Sequence, residues 1–264
     1  MNELALFAGA GGGILGGHLL GWRTVCAVEW EPYAASVLVQ RQNDGILPPF
    51  PIWDDVQTFD GRPWQGIVDV VSGGFPCQDI SAAGKGAGID GERSGMWREM
   101  ARIICEVRPQ YAFIENSPML TTRGLDVVLS DLAGMGFDAR WGVLGAADVG
   151  APHQRDRIWV VADANRKWKL QQERSESYER RWISNGGDEV GDSESSRLAS
   201  CNDRSREIKS WRAGCGFTWW EIEPDVGRVA DGVAARVDRL KAIGNGQVPA
   251  VAATAWKLLI EEMQ

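Results

Sequence analysis

The chain has 264 residues, 44% hydrophobic and 24% charged, with a formal net charge of −8. This is an ordinary enzyme composition with enough length for a sizeable core, and it excludes global disorder. The acidic balance speaks against a nonspecific polyanion binder, and no apolar run approaches the ~20 residues of a membrane span.

The first element is a short apolar strand, Glu3 to Ala8, stopping at Gly9-Ala10-Gly11-Gly12-Gly13, after which Ile14 to Leu20 reads as helix. A second strand runs from Thr24 to Glu29, and a helix starts near Pro32, a good first helical residue. Asp69 to Ser72 is a third strand, of buried type, ending at Gly73-Gly74. Tyr111 to Glu115 and Arg157 to Ala162 are two more. Strands separated by helical stretches predict crossover units, a parallel sheet and helices on both faces. From about Asn165 to Arg212 the rhythm breaks: Ala164 to Arg212 holds eleven Lys/Arg against nine Asp/Glu and no sustained apolar periodicity. Two readings stand for it, a disordered insert or a small subdomain, the second because Trp168, Trp182 and Trp211 interrupt the polarity. Helical periodicity returns from Val248 to Met263. The expected units are 1–163, 164–235 and 236–264.

Five scattered cysteines (Cys26, Cys77, Cys105, Cys201, Cys215) argue for reduced thiols in a cytosol and against a disulfide framework. With two histidines, His18 and His153, and no CxxC pair, no metal is expected. No basic-plus-apolar signal peptide opens the chain.

The glycine cluster after the first strand lets a ligand approach the backbone and points helix N–H groups at it, although a simple tight turn reads the same way. Val28-Glu29-Trp30 adds a carboxylate suited to ribose hydroxyls and an indole able to stack on an adenine, with core packing of Trp30 the competing reading. Asp54-Asp55 follows where an adenine amino group could be met. A Gly-Lys-Ser/Thr phosphate loop is absent, which favours a nucleoside ligand without phosphates. Gly74-Phe75-Pro76-Cys77-Gln78 stands just after a buried strand. A lone cysteine is usually an inert core residue, but this one sits in a Gly/Pro turn at a strand's carboxyl end, where open sheets place ligands. The small-residue run Ser81 to Gly88 cannot pack a core and could close over a substrate.

Several motifs occur in one order: Phe7-x-Gly9-x-Gly11-Gly12, Glu29-Trp30, Pro76-Cys77-Gln78, Arg93 with Met96-Trp97, Glu115-Asn116, Arg155-x-Arg157 and Gly244-Asn245. In these the chain resembles the DNA (cytosine-5) methyltransferase family over about residues 3–163 and 236–262. The resemblance implies a Rossmann-like S-adenosylmethionine-dependent methyltransferase fold of α/β class, with a mostly parallel sheet and a small irregular target-recognition insert. It implies S-adenosylmethionine as cofactor, S-adenosylhomocysteine as product and double-stranded DNA as substrate. Cys77 would add to carbon 6 of the cytosine, which makes carbon 5 able to attack a sulfonium methyl. Glu115 would stabilise the ring at nitrogen 3, Arg157 would hold the base carbonyl, and Arg155 would brace the site. Cofactor contacts would come from Phe7, Ala8, Gly9, Gly11, Gly12, Glu29, Trp30, Asp55, Val56, Pro76, Met96 and Asn245. Substrate contacts would come from Gln78, Ser81, Arg93 and Asn116, the last positioning the Cys77 loop, with the target base flipped out of the duplex.

Three features depart from the family's pattern: His153 where glutamine is common, Ser117 after Glu115-Asn116, and a short recognition region resembling that of compact phage and prophage members. A cytoplasmic monomer is expected, in a bacterial or phage-infected cell, away from membranes; a cognate restriction endonuclease is left open as a partner. Rival readings are an RNA cytosine-5 methyltransferase, whose motifs would look nearly the same, and a catalytically inactive DNA-binding regulatory subunit, against which Cys77, Glu115, Arg155 and Arg157 count. An amino-methyltransferase would need an Asp/Asn/Ser-Pro-Pro-Tyr/Phe string, which is absent. An oxidoreductase would leave the cysteine loop unexplained.

Overall fold

A computed structural model describes residues 1–76, 95–164, 236–261 and 263. Their elements, in chain order, are β1 (Asn2–Leu6), α1 (Gly12–Leu19), β2 (Arg23–Val28), α2 (Pro32–Asn43), β3 (Ile52–Trp53), β4 (Val70–Gly74), α3 (Met96–Val107), β5 (Tyr111–Asn116), α4 (Leu125–Gly134), β6 (Asp138–Leu144), β7 (Arg157–Asp163), α5 (Arg236–Asn245) and α6 (Pro249–Glu261). Seven strands form one sheet in the order β3-β2-β1-β4-β5-β7-β6. Neighbours from β3 to β5 pair in parallel, whereas β7 pairs antiparallel with both β5 and β6. This is the Rossmann-like, mostly parallel α/β arrangement the sequence predicts.

The central strands are apolar on both faces because helices cover both. Val71, Ala112, Ile114 and Val160 point into a core built with Trp97, Met100, Ile103 and Ile104 of α3 and with Val128 and Leu132 of α4. Val70, Phe113, Trp159 and Val161 point the other way, toward Val251, Ala255, Trp256 and Leu259 of α6. On that face Trp256 meets Trp22, Tyr111 and Phe113 edge-on, at centroid distances of 4.7, 5.3 and 5.4 Å. The last helix therefore returns to the start of the chain. It lies so close to α1 that a methyl added at Gly16 would stand 2.8 Å from the Ala252 Cβ.

Two strands escape the sequence reading. β3 is only two residues long. β6 (DARWGVL) is a sheet-edge strand with Trp141 and Val143 exposed, and Asp138, Arg140 and Gly142 interrupt it, so it lacks the continuous apolar run that marks β4 or β5. The first strand also ends earlier than Ala8, because Phe7 takes a left-handed backbone, φ 52°.

Glu3, in the second position of β1, is buried beneath the sheet's helix layer, where its carboxyl accepts hydrogen bonds from Thr24 Oγ1 on β2 (2.7 Å) and Ser72 Oγ on β4 (2.6 Å). Burial outweighs those two donors and raises its pKa to about 7. Because the folded value lies above the ordinary 4.5, this group favours the folded state below pH 4.5, and that contribution is lost as pH rises through 7. Glu3→Gln, neutral and similar in shape, removes the dependence: at pH 8 the variant is expected to unfold at higher temperature than the parent, by up to roughly 3 kcal/mol. Parallel thermal unfolding curves at pH 4.5 and pH 8 check this; an unchanged difference between the two pH values in the variant contradicts it.

Candidate active site

Between β1 and α1 the chain turns through three left-handed residues, Phe7 (φ 52°), Gly9 (55°) and Gly11 (85°). Such a backbone is costly for phenylalanine and is held here from outside. The carboxylate of Glu29, just past β2, accepts the Gly9 N–H at 2.6 Å through one oxygen and the Glu31 N–H at 2.7 Å through the other. Glu29 is thus first a brace of the glycine turn, and each of its oxygens can accept a second hydrogen bond. Beside it Trp30 is 69% exposed, which decides between the two readings of that indole: it is not core.

The turn forms one wall of a cleft whose lining includes Phe7, Ala8, Gly9, Ser72, Gly74, Glu115, Asn245 and Gln247. Described residues give this lining one carboxyl group and no lysine or arginine. A polyphosphate would find no counter-charge in that lining. Asn245, Gly246 and Gln247 enter from the turn between α5 and α6, which Arg155 holds by donating from Nη2 to the carbonyls of Gly244 (2.6 Å) and Gly246.

At the far wall the sheet register assembles a second group. Gly74, last in β4, lies opposite Glu115 in the parallel ladder, and a Cβ at Gly74 would collide with the Glu115 Oε2. Glycine is required there so that the carboxyl can lie across the strand end. Because β7 runs antiparallel to β5, its first residue, Arg157, arrives at the carboxyl end of β5, and its Nε meets Glu115 Oε1 at 2.9 Å. Burial pushes the Glu115 carboxyl above the ordinary range, opposed by Arg157, the Gln247 amide and Arg155. Arg155 in turn is pushed down by burial and by the neighbouring Arg157 charge. Asn116, next on β5 and buried, donates from Nδ2 to the Phe75 carbonyl at 3.1 Å while its Oδ1 accepts the Ser117 N–H at 2.8 Å. It therefore fixes the Phe75-Pro76 turn from which the chain enters position 77.

Glu115, Asn116, Arg155, Arg157, Asn245 and the glycine turn are thus brought to one end of the sheet. Asp55, two residues past β3, is half-buried, its Oδ1 accepting the Gln57 N–H at 2.9 Å. The Val56 side chain belongs to the core rather than to the cleft, and Met96 packs against that core at the start of α3. Pro76 is exposed. Cys77, Gln78, Ser81 and Arg93, and the insert after Ala164 as far as residue 235, lie outside the described residues. No helix among the described residues is long and apolar enough to cross a membrane, and no group of three potential metal ligands occurs among them.

Two residues at the site carried no role in the sequence reading. Gln247 donates from Nε2 to Glu115 Oε2 at 3.3 Å; the only signal was its place in the Gly244–Pro249 turn. Arg102, on α3, reaches the carbonyls of Val56 (2.8 Å) and Phe59 (3.0 Å), while Glu106 takes Nη1 of Arg102 and accepts the Gly61 N–H at 2.8 Å. A lone arginine in an amphipathic helix announces none of this.

The sheet order, the braced glycine turn and the carboxyl–guanidinium pair at the strand ends define a methyltransferase-type α/β domain. Residues 1–213 match the model of the C-5 cytosine-specific DNA methylase family, and the chain belongs to that family. It is 34% identical over 163 residues to the type II methyltransferase M.CviJI of Paramecium bursaria Chlorella virus IL3A, covering 61% of this chain and 42% of that protein. It is 34% identical over 164 residues to M.NgoBI of Neisseria gonorrhoeae, covering 61% and 50%. The chain thus spans about half the length of these relatives. Its fold is similar to that of a prophage-encoded DNA modification methyltransferase of E. coli, with a TM-score of 0.51 at 23% identity, over 65% of this chain and 48% of that one.

The Arg102 clasp ties the segment carrying Asp55 and Val56 to α3. Arg102→Met, which keeps the aliphatic stem, leaves the two carbonyls without their donor and is expected to cost about 2 kcal/mol in denaturant unfolding. A loss under about 0.5 kcal/mol would show that the clasp is dispensable.

Proposed function

We propose that this chain transfers a methyl group from S-adenosylmethionine to carbon 5 of a flipped-out cytosine in double-stranded DNA, through a covalent adduct of Cys77 at carbon 6. The observation that carries this reading is the buried Glu115 carboxyl, paired with Arg157 across the β5–β7 register and facing the strand end that delivers the chain into Cys77. Carbon 5 of cytosine is a weak nucleophile while the ring is conjugated. Addition of the Cys77 thiolate at carbon 6 breaks that conjugation and sends charge toward nitrogen 3. A carboxyl whose proton is held by burial can meet that charge as an acid, and Arg157 can hold the neighbouring carbonyl oxygen. Loss of the carbon 5 proton and elimination of Cys77 then release the product.

The bound cofactor supplies the electrophilic methyl on a sulfonium. Glu29 would hold its ribose hydroxyls, and Phe7 and Trp30 would flank its adenine. The cleft fits such a ligand because its described lining holds no lysine or arginine that would repel a sulfonium, and the Glu29 carboxylate stands at its glycine turn. Asn116 positions the Cys77 turn. Arg155 positions the Asn245–Gln247 turn. The 164–235 segment would read the duplex, with phosphates held by its Lys and Arg and base edges read in the major groove.

Transfer of tritium from labelled S-adenosylmethionine to mixed-sequence duplex DNA is the test. Cys77→Ser is expected to abolish incorporation while leaving cofactor affinity by calorimetry within about twofold, roughly 0.4 kcal/mol. Glu29→Ala is expected to weaken cofactor binding tenfold or more, about 1.4 kcal/mol, with DNA affinity little changed. Incorporation by Cys77→Ser would remove the nucleophile assignment, and labelling of RNA in place of DNA would move the substrate to the other nucleic acid.

A further inference from the structure

We propose that Gln247 is a positioning residue that draws Glu115 toward its ionised form while the cleft is empty, an entering base displacing the Gln247 amide from the carboxyl oxygen it holds. The proposal rests on the reading of Glu115 as the group that meets the ring nitrogen.

Gln247 stands where three parts of the site converge. Its backbone carbonyl packs on Gly12 and its side-chain oxygen on Gly13, both in the first turn of α1. Its Nε2 lies 3.0 Å from where a Cβ of Gly74 would be, at the end of β4, and 3.3 Å from Glu115 Oε2. Charge fixes which way the amide points. The oxygen faces the N-terminus of α1, where helix N–H groups gather, and the NH2 faces the carboxyl; the reverse orientation would set oxygen against oxygen.

The charged groups facing Glu115 from the described elements are Arg157, on Oε1, and Arg155, which reaches the carbonyls of Gly244 and Gly246. β4 contributes only Gly74 on that side. Oε1 is therefore engaged by Arg157, and Oε2 carries the Gln247 amide at a distance long for an N–H···O bond. Both donors favour the carboxylate, while burial favours the acid. The Arg157 contact is compatible with a bound base, since it engages the other oxygen. The Gln247 contact lies on Oε2, the oxygen that Arg157 leaves to an entering base. A base that hydrogen-bonds Oε2 competes there with the amide, whose contact is long for an N–H···O bond and easily given up. Its displacement removes one stabilising donor and deepens burial in a single step, and both changes favour uptake of one proton from solvent by Glu115. The entering base thus adds to the upward push that burial already gives the Glu115 carboxyl.

Gln247→Leu and Gln247→Met remove the donor at similar size, and retained cofactor binding shows that either is folded. For mixed-sequence duplex DNA the alkaline limb of kcat/KM reports Glu115 in the free enzyme, and that of kcat reports it with the base in place. Loss of one hydrogen bond to an ionised carboxyl should move the kcat/KM limb up by about one pH unit in both variants. The kcat limb should stay where it is, because the amide has already left in that complex. Glu115→Gln is the control for the underlying reading and should abolish turnover. If Glu115→Gln is inactive and the kcat/KM limb of Gln247→Leu and Gln247→Met does not move, or the kcat limb moves equally, the proposal for Gln247 is overturned. If Glu115→Gln retains turnover, the reading of Glu115 itself fails.

Discussion

The site depends on how β5 is gripped by its two neighbours. A parallel partner on one side sets Gly74 opposite Glu115, and an antiparallel partner on the other brings the first residue of β7 to the same end. Neither alone would suffice. If β7 ran parallel, its carboxyl end would arrive beside Glu115 and Arg157 would lie at the opposite edge of the sheet. A slip of one residue would turn Glu115 to the other face, toward the core that Ile114 and Val160 build with α3. The apolar residues on both faces of β4, β5 and β7 lock the register, so the placing of Glu115 beside Arg157 is inherited from the core.

Around that register, side chains of one element hold the backbone of another. Glu29 joins the end of β2 to the glycine turn; Asn116 joins β5 to the exit of β4; Arg155 joins the approach to β7 to the turn before α6; Arg102 joins α3 to the segment after β3. These are side-chain-to-backbone bonds that fix loops, which the sheet alone cannot do. Two carboxyls, Glu3 and Glu115, are both raised by burial, yet their surroundings differ. Glu3 has only hydroxyl donors and no access to the cleft, so its ionisation bears on stability. Glu115 has cationic and amide donors at the strand ends and lines the cleft, which is where the proposed chemistry needs an acid.

The parts of this arrangement that were legible in the sequence are those made by local pattern. The buried strands β1, β2, β4, β5 and β7 show as short apolar runs, and the glycine turn and Pro32 mark where helices begin. Glu29, Glu115, Asn116, Arg155 and Arg157 could be singled out because they stand at strand ends or in motifs that resemble a known family. What was hidden is what depends on partners far along the chain. β6 is stabilised by pairing with β7 and by α4 and α6, with no apolar run of its own. Val56, singled out as a ligand contact, has its side chain in the core that α3 helps to build. Gln247 meets Glu115 across 132 residues of sequence. No local pattern encodes such a contact.

The proposed carbon 6 nucleophile, Cys77, follows in sequence the Phe75-Pro76 turn that Asn116 fixes. The most direct test is incubation of the protein with S-adenosylmethionine and duplex DNA containing 5-fluorocytosine, followed by denaturing electrophoresis. Fluorine cannot leave as the carbon 5 proton does, so the account predicts a covalent protein–DNA band that is lost in Cys77→Ala. A protein that binds cofactor and methylates ordinary duplex DNA yet forms no such band, or forms one that survives Cys77→Ala, would contradict it.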